Sequence, residues 1–119
     1  MSGEIDRTRR VAEMLRRELA VLIDTELDDP RLGMLTITSV RMSKDLKFAT
    51  VYFTAMEKDI DHRVLSGILK HAASYLRKKV SSRMDLRVTP RLLFKYDISM
   101  EQGNRLHRLI DQALDDESS

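Results

Sequence analysis

The chain has 119 residues, 42% hydrophobic and 34% charged, which suits one globular domain with a modest core and excludes a disordered polyelectrolyte. The absence of cysteine removes disulfide frameworks and thiolate metal sites, and no apolar run approaches the roughly 20 residues that cross a bilayer. Net charge is only +2, and the opening Met1–Asp6 lacks the basic-then-apolar order of a secretory signal, so a cytoplasmic protein without membrane contact is expected.

Residues Thr8 to about Asp24 read as a helix, because Val11, Leu15, Leu19 and Leu22 recur at helical spacing and Met14 and Ile23 widen the stripe. The helix must end before Asp29-Pro30, since proline disfavours helical geometry in the residue ahead of it. A turn over 28–33 leads to two strands, Leu35–Met42 and Lys47–Thr54, rich in β-branched and aromatic residues and linked by Ser43–Leu46. In the first strand the apolar phase slips from Leu35 and Ile37 to Val40 and Met42, which predicts a bulge near Ser39. Asp59 or Asp61 is placed to cap a second helical stretch, in which Leu65, Leu69, Ala72, Leu76, Val80 and Met84 keep helical spacing. This stretch is one long helix, or two with a break near Ala72-Ala73-Ser74. A connector over 85–90 precedes a third strand, Arg91–Tyr96, with Leu92, Phe94 and Tyr96 on one face. Ser99-Met100-Glu101-Gln102 matches a capping box ahead of an amphipathic helix carrying Leu106, Leu109, Ile110 and Leu114. Residues 1–6 and 115–119 are expected to be flexible termini. The order predicts an α+β domain spanning 1–119, with a mixed three-stranded sheet packed against helices.

The small net charge hides an uneven distribution. Lys70 to Lys95 holds eight basic residues and one acid, Asp85, for a net +7; Arg7 to Arg17 holds five arginines and Glu13, for a net +4. Such asymmetry points to a polyanion partner, although solvated helix faces would give the same count. Opposite the apolar stripe of the second helix, Arg63, Gly67, Lys70, Ser74 and Arg77 fall within about 80° of arc. Cations separated by very small side chains let a phosphate backbone approach closely, and small residues at ordinary solvent positions would look alike.

Catalytic constellations are missing. His62, His71 and His107 lack the converging spacing of metal ligands. There is no Gly-x-Ser-x-Gly elbow and no phosphate-cradling glycine loop, and the carboxylates cluster with other acids rather than in apolar settings. The chain is therefore read as a non-enzyme with no metal and no cofactor. Met14, Met42 and Met84 sit in apolar phase and are expected to fill the core. Phe48, Tyr52 and Phe53 lack the Gly-aromatic-Gly spacing of RNA-recognition strands, and no Gly-x-x-Gly of a standard KH domain occurs.

An ordered set of segments nevertheless resembles one family across about Arg7 to Leu109. The set comprises Arg10-Val-Ala-Glu-Met-Leu-Arg-Arg-Glu-Leu19, Asp29-Pro-Arg31, Thr36-Ile-Thr38, Val40, Ser43-Lys-Asp-Leu46, Ala49 and Val51-Tyr52. Leu86-Arg-Val-Thr-Pro-Arg-Leu-Leu-Phe94 and Asp97-Ile-Ser-Met-Glu-Gln-Gly-Asn-Arg-Leu106 complete it. Together they are similar to the bacterial ribosome-binding factor A family. The resemblance implies a type II KH-like fold in which an Ala-x-Gly kink between two helices replaces the Gly-x-x-Gly loop. Here Ala72-Ala73-Ser74 occupies that place, and serine lacks glycine's backbone freedom. It also implies a monomer that binds the immature small subunit and its ribosomal RNA, supports processing of the RNA 5′ end and growth in the cold, and is released by an assembly GTPase. The charge pattern assigns RNA contact to Arg77, Lys78, Lys79, Arg83, Arg87 and Arg91, then Lys70 and Arg63. Arg9, Arg10, Arg16 and Arg17 form a second set. A general single-stranded RNA binder and an adaptor holding an acidic protein on its basic helix are the alternatives.

Overall fold

A computed structural model of the chain describes residues 2–33, 35–56, 61–99 and 109–114, with side chains from Arg7 onward. The first helix, α1, runs Ser2–Glu26. It begins earlier than its apolar stripe, because residues 2–6 contain one apolar side chain, Ile5, and so carry no periodic signal. Leu15, Leu19, Leu22 and Ile23 are buried, whereas Met14 is 48% exposed and does not fill the core as expected. One residue ahead of Leu15 means about 100° around the helix, which carries Met14 off the buried stripe. Beyond the helix, Asp29 caps a single 3-10 turn, Pro30–Leu32. Its carboxylate accepts from the Arg31 backbone N–H at 3.0 Å and from the Arg31 guanidinium at 3.0 and 2.8 Å. Proline at the first position lacks only an N–H that would have had no helical partner.

Strands β1 (Leu35–Met42) and β2 (Phe48–Ala55) pair antiparallel, and β3 (Arg91–Tyr96) pairs parallel to β2, giving the order β1-β2-β3. The register between β1 and β2 shifts between Ile37 and Ser39. That bulge is the one the slipped apolar phase predicts. The hairpin link is held by Asp45, which accepts from the Ser43 hydroxyl at 2.6 Å and the Lys47 N–H at 3.1 Å. Leu46 adopts a left-handed φ of 60°, unusual for a branched residue, and packs partly buried against the core.

The second helix, α2 (His62–Arg83), is capped by Asp61, whose carboxylate accepts from the Arg63 N–H at 2.9 Å. It is continuous through Ala72, Ala73 and Ser74, so the chain takes the one-helix alternative and no break divides it. Alanine is the best helix former and serine only a middling one, and with no glycine at 72–74 nothing favours leaving the helix. Both helices cover one face of the sheet, α1 mainly over β1 and α2 over β3. They run antiparallel: Arg83 meets Glu18 at 3.4 Å, and the Tyr75 hydroxyl donates to Glu26 at 2.9 Å, so eight residues up one helix match eight down the other. Phe53, Leu15, Leu19, Leu22, Leu65, Leu69, Leu76, Val51 and Val80 are fully buried between the layers. Each such side chain contributes about 1.5–3 kcal/mol of apolar burial. Met42 and Met84 join them, as expected.

After β3, the Asp97 N–H donates to the Phe53 carbonyl at 2.8 Å, and the Asp97 carboxylate accepts from the Thr38 hydroxyl at 2.6 Å and the Ser99 N–H at 2.9 Å. Asp97 thus ties the bulge of β1 to the end of β3. Ser99 and residues 109–114 are helical. Of the expected C-terminal helix, residues 100–108, with His107 and most of the capping box, lie outside the described residues, as do 115–119. Leu109, Ile110 and Leu114 remain exposed rather than packed. The helix–strand–strand–helix–strand order with a mixed sheet is the type II KH-like arrangement.

Candidate nucleic-acid interface

Helix α2 carries Arg63, Lys70, Arg77, Lys78, Lys79 and Arg83 in 22 residues and no acid. Its buried stripe turns Leu65, Leu69, Leu76 and Val80 to the sheet, which forces the cations outward or to the flanks. Ser74, Arg77, Lys78 and Ser81, spaced three and four apart, line one shallow groove along the helix. At Gly67, one turn towards the N-terminus from Lys70, nothing lies within 4 Å of where a Cβ would stand, so this flank is open. Cations interleaved with small residues therefore occur in space as the sequence implies. Lys70 and Lys78 are exposed and have no ion-pair partner among the described residues.

Three neighbours are partly committed elsewhere. The Arg77 guanidinium donates twice to the Thr89 carbonyl, at 3.3 and 2.9 Å, and so fastens the 85–90 connector to α2. Lys79 stands 5.6 Å over the Tyr75 ring. Arg83 reaches Glu18 across the helix pair at 3.4 Å, an exposed contact that contributes little to stability.

The two basic segments do not build one face. Arg9 and Arg16 lie in a groove with Thr38, Ser39 and Val40 against β1, on the flank of α1 opposite the one Glu18 turns to α2. Glu13 sits in that groove, accepting from Arg16 at 3.0 and 2.5 Å and pairing with Arg17 at 3.5 Å. Those arginines, Arg16 first, hold the Glu13 carboxyl below the usual glutamate range, so it stays charged and offsets them. Arg10 is exposed. Arg7 and Arg87 line one cleft with Val11, Asp45 and Asp85, and there two acids accompany two cations. Arg91 alternates with buried Leu92 on β3 and projects from the sheet face away from the helices. Helical and strand phases fix these directions, and a count of charge per segment does not contain them.

Among the described residues no group of His, Asp and Glu could hold a metal ion, and no helix is long and apolar enough to cross a membrane. His62 is stacked on Tyr96, with ring centroids 4.5 Å apart, and locks the start of α2 to the end of β3.

A family model described as Ribosome-binding factor A matches residues 7–110. The chain is 45% identical over 114 residues to ribosome-binding factor A of Nitrosomonas europaea, covering 96% of this chain and 97% of the relative. To the protein of the same name from Thiobacillus denitrificans it is 47% identical over 114 residues, covering 96% and 92%. The crystal structure of ribosome-binding factor A from Thermus thermophilus superimposes with a TM-score of 0.67 at 32% identity, covering 75% of this chain and 94% of that one. A Thermus thermophilus homology model fitted into the cryo-EM map of a 30S complex of that factor gives a TM-score of 0.62 at 33% identity, covering 73% and 91%.

Proposed function

Since the chain belongs to the ribosome-binding factor A family, we propose that it binds the immature small ribosomal subunit through the outer flank of α2. The observation that carries this reading is a 22-residue helix with six cations, no acid and an open, small-residue flank. Lysine and arginine there neutralise phosphates and release counterions, while the shape of folded RNA selects the site. Lys70, Arg77 and Lys78 line the flank; Lys79, Arg83 and Arg87 border it, and Arg63 extends it towards the N-terminus of α2. The protein acts as a single domain and a monomer in the cytoplasm. It turns over no substrate, assists late maturation and processing of the RNA 5′ end, and leaves with the help of an assembly GTPase. Arg9, Arg10, Arg16 and Arg17 serve as lesser contacts because Glu13 offsets two of them.

Sedimentation tests this reading. The protein should travel with free small subunits at low salt and stay behind at high salt. The Lys70→Glu, Lys78→Glu variant should remain at the top of the gradient with an unchanged circular dichroism spectrum. Unaltered co-migration of that variant would refute the α2 assignment. Co-migration that survives ribonuclease and high salt would favour a protein adaptor instead.

A further inference from the structure

The sheet has a second face, and its composition is unusual. No strand contains an acid, and the three strands together hold three cations, Arg41, Arg91 and Lys95. All three are exposed and alternate with residues packed on the helix side, so all three project from the face opposite α1 and α2. None has a carboxylate partner among the described residues. The same phase puts Phe48 and Tyr52 on this face, since Ala49, Val51 and Phe53, which alternate with them, are buried. Phe48 is 42% exposed, which the core does not require. The register sets Phe48 beside Arg91 and Tyr52 beside Lys95, while Thr50, between the rings, pairs with Arg41 on the other side.

Each ring thus has a cation on the neighbouring strand, a hydroxyl separates the rings, and Leu93, itself exposed, stands beside that hydroxyl between the two β3 cations. Two rings and one leucine, flanked by three cations, make a small mixed patch rather than the broad apolar one that a protein or membrane contact needs. They do match what a single strand offers: unstacked bases with π-faces, and phosphates at intervals. We infer that the outer face of the sheet binds single-stranded RNA, with bases stacked on Phe48 and Tyr52 and the backbone held by Arg41, Arg91 and Lys95. The inference rests on the RNA-binding reading above but assigns a different surface and a different form of RNA. The helix flank takes folded RNA, and the sheet, on the opposite side of the molecule, takes an unpaired segment.

The test uses the full chain, a 12-nucleotide oligouridine and a blunt RNA duplex of equal length. Oligouridine should shift the backbone amide resonances of Thr50, Tyr52 and Leu93, and the duplex should shift those of α2. Phe48→Ser and Tyr52→Ser should each weaken oligouridine binding about tenfold and leave duplex binding unchanged, as stacking energies per base imply. Arg41→Gln with Lys95→Gln, which spares both rings, should lower the salt slope for oligouridine by about 1.4, at ~0.7 for each phosphate no longer neutralised. Oligouridine shifts confined to α2, or ring variants with full affinity, would overturn the sheet-face assignment and leave the α2 reading intact. Equal shifts with polyglutamate would overturn it too, since charge alone would then suffice. Failure of the wild-type chain to bind small subunits would instead sink the reading on which the inference rests.

Discussion

Replacing Lys70 and Lys78 by glutamine removes two charges from the α2 flank without touching a contact that holds the fold. Both side chains are exposed, neither forms an ion pair among the described residues, and glutamine is a good helix former. If each lysine neutralises one phosphate, the slope of log K against log salt should fall by about 1.4 for single strands or about 1.8 for duplex, from ~0.7 and ~0.9 per phosphate. Between about 50 and 200 mM salt, where log salt changes by about 0.6, the variant should lose roughly tenfold less affinity than the wild type. The two should therefore differ most at low salt and converge as salt rises. The assay is sedimentation binding of precursor small subunits across that salt range, with urea midpoints as the control. Surface substitutions of this kind change stability by less than about 0.5 kcal/mol, so the midpoints should coincide. Parallel salt plots, displaced or not, would refute the reasoning, because they would show that neither lysine meets a phosphate.

Other perturbations separate stability from binding. Glu18→Gln frees Arg83 from its exposed partner, and should tighten RNA binding severalfold while changing stability by under about 1 kcal/mol; weaker binding would mean that the pair positions Arg83 rather than competes for it. Phe53→Ala empties the centre of the core, where the ring is fully buried and meets Tyr96 edge-on at 5.8 Å. It should cost about 3–5 kcal/mol in urea unfolding, a large share of the total for a domain of this size. Asp61→Ala removes the cap of α2 and should cost about 1 kcal/mol by the same assay. Hydrogen bonds from Ser99 first and then from Thr38 hold the Asp97 carboxyl below the usual aspartate range. Its contribution is therefore present above the unfolded-state value near pH 4 and is lost as pH falls through the lower folded value. Urea midpoints taken from neutral to acid pH should drop less steeply in Asp97→Asn than in the wild type, and identical slopes would remove Asp97 from the account.

Much of the fold was legible because period decides it. The slipped phase of Ile37 and Val40 announced the bulge, and the spacing of Leu65, Leu69, Leu76 and Val80 announced α2 and its buried side. Asp59 and Asp61 offered equal chemistry for the cap, and only Asp61 stands directly ahead of the first helical turn. Met14 is apolar and near the stripe, yet it sits off the buried face. The stretch Ala72–Ser74 was ambiguous because a break there needs a residue that prefers another conformation, and none is present. Charge was harder still. A count over Arg7–Arg17 sees five cations, but not that Arg9 and Arg16 turn to β1 or that Glu13 holds Arg16 and Arg17. Arg91 counted with the α2 cluster in sequence, yet strand alternation sends it to the far side of the sheet. The absence of acids from all three strands was visible in the sequence. Its meaning emerges only when the pairing of β1, β2 and β3 brings Arg41, Arg91 and Lys95 onto one surface.

Ultraviolet crosslinking of the protein on immature small subunits, followed by sequencing of the RNA-linked peptides, measures the contact itself. The α2 flank as the RNA-bearing surface predicts crosslinks in the segment containing Lys70, Ser74, Arg77 and Lys78, abolished when Lys70 and Lys78 are changed to glutamate. Crosslinks clustered instead on the β1-side groove of Arg9 and Arg16, with none along α2, would contradict it.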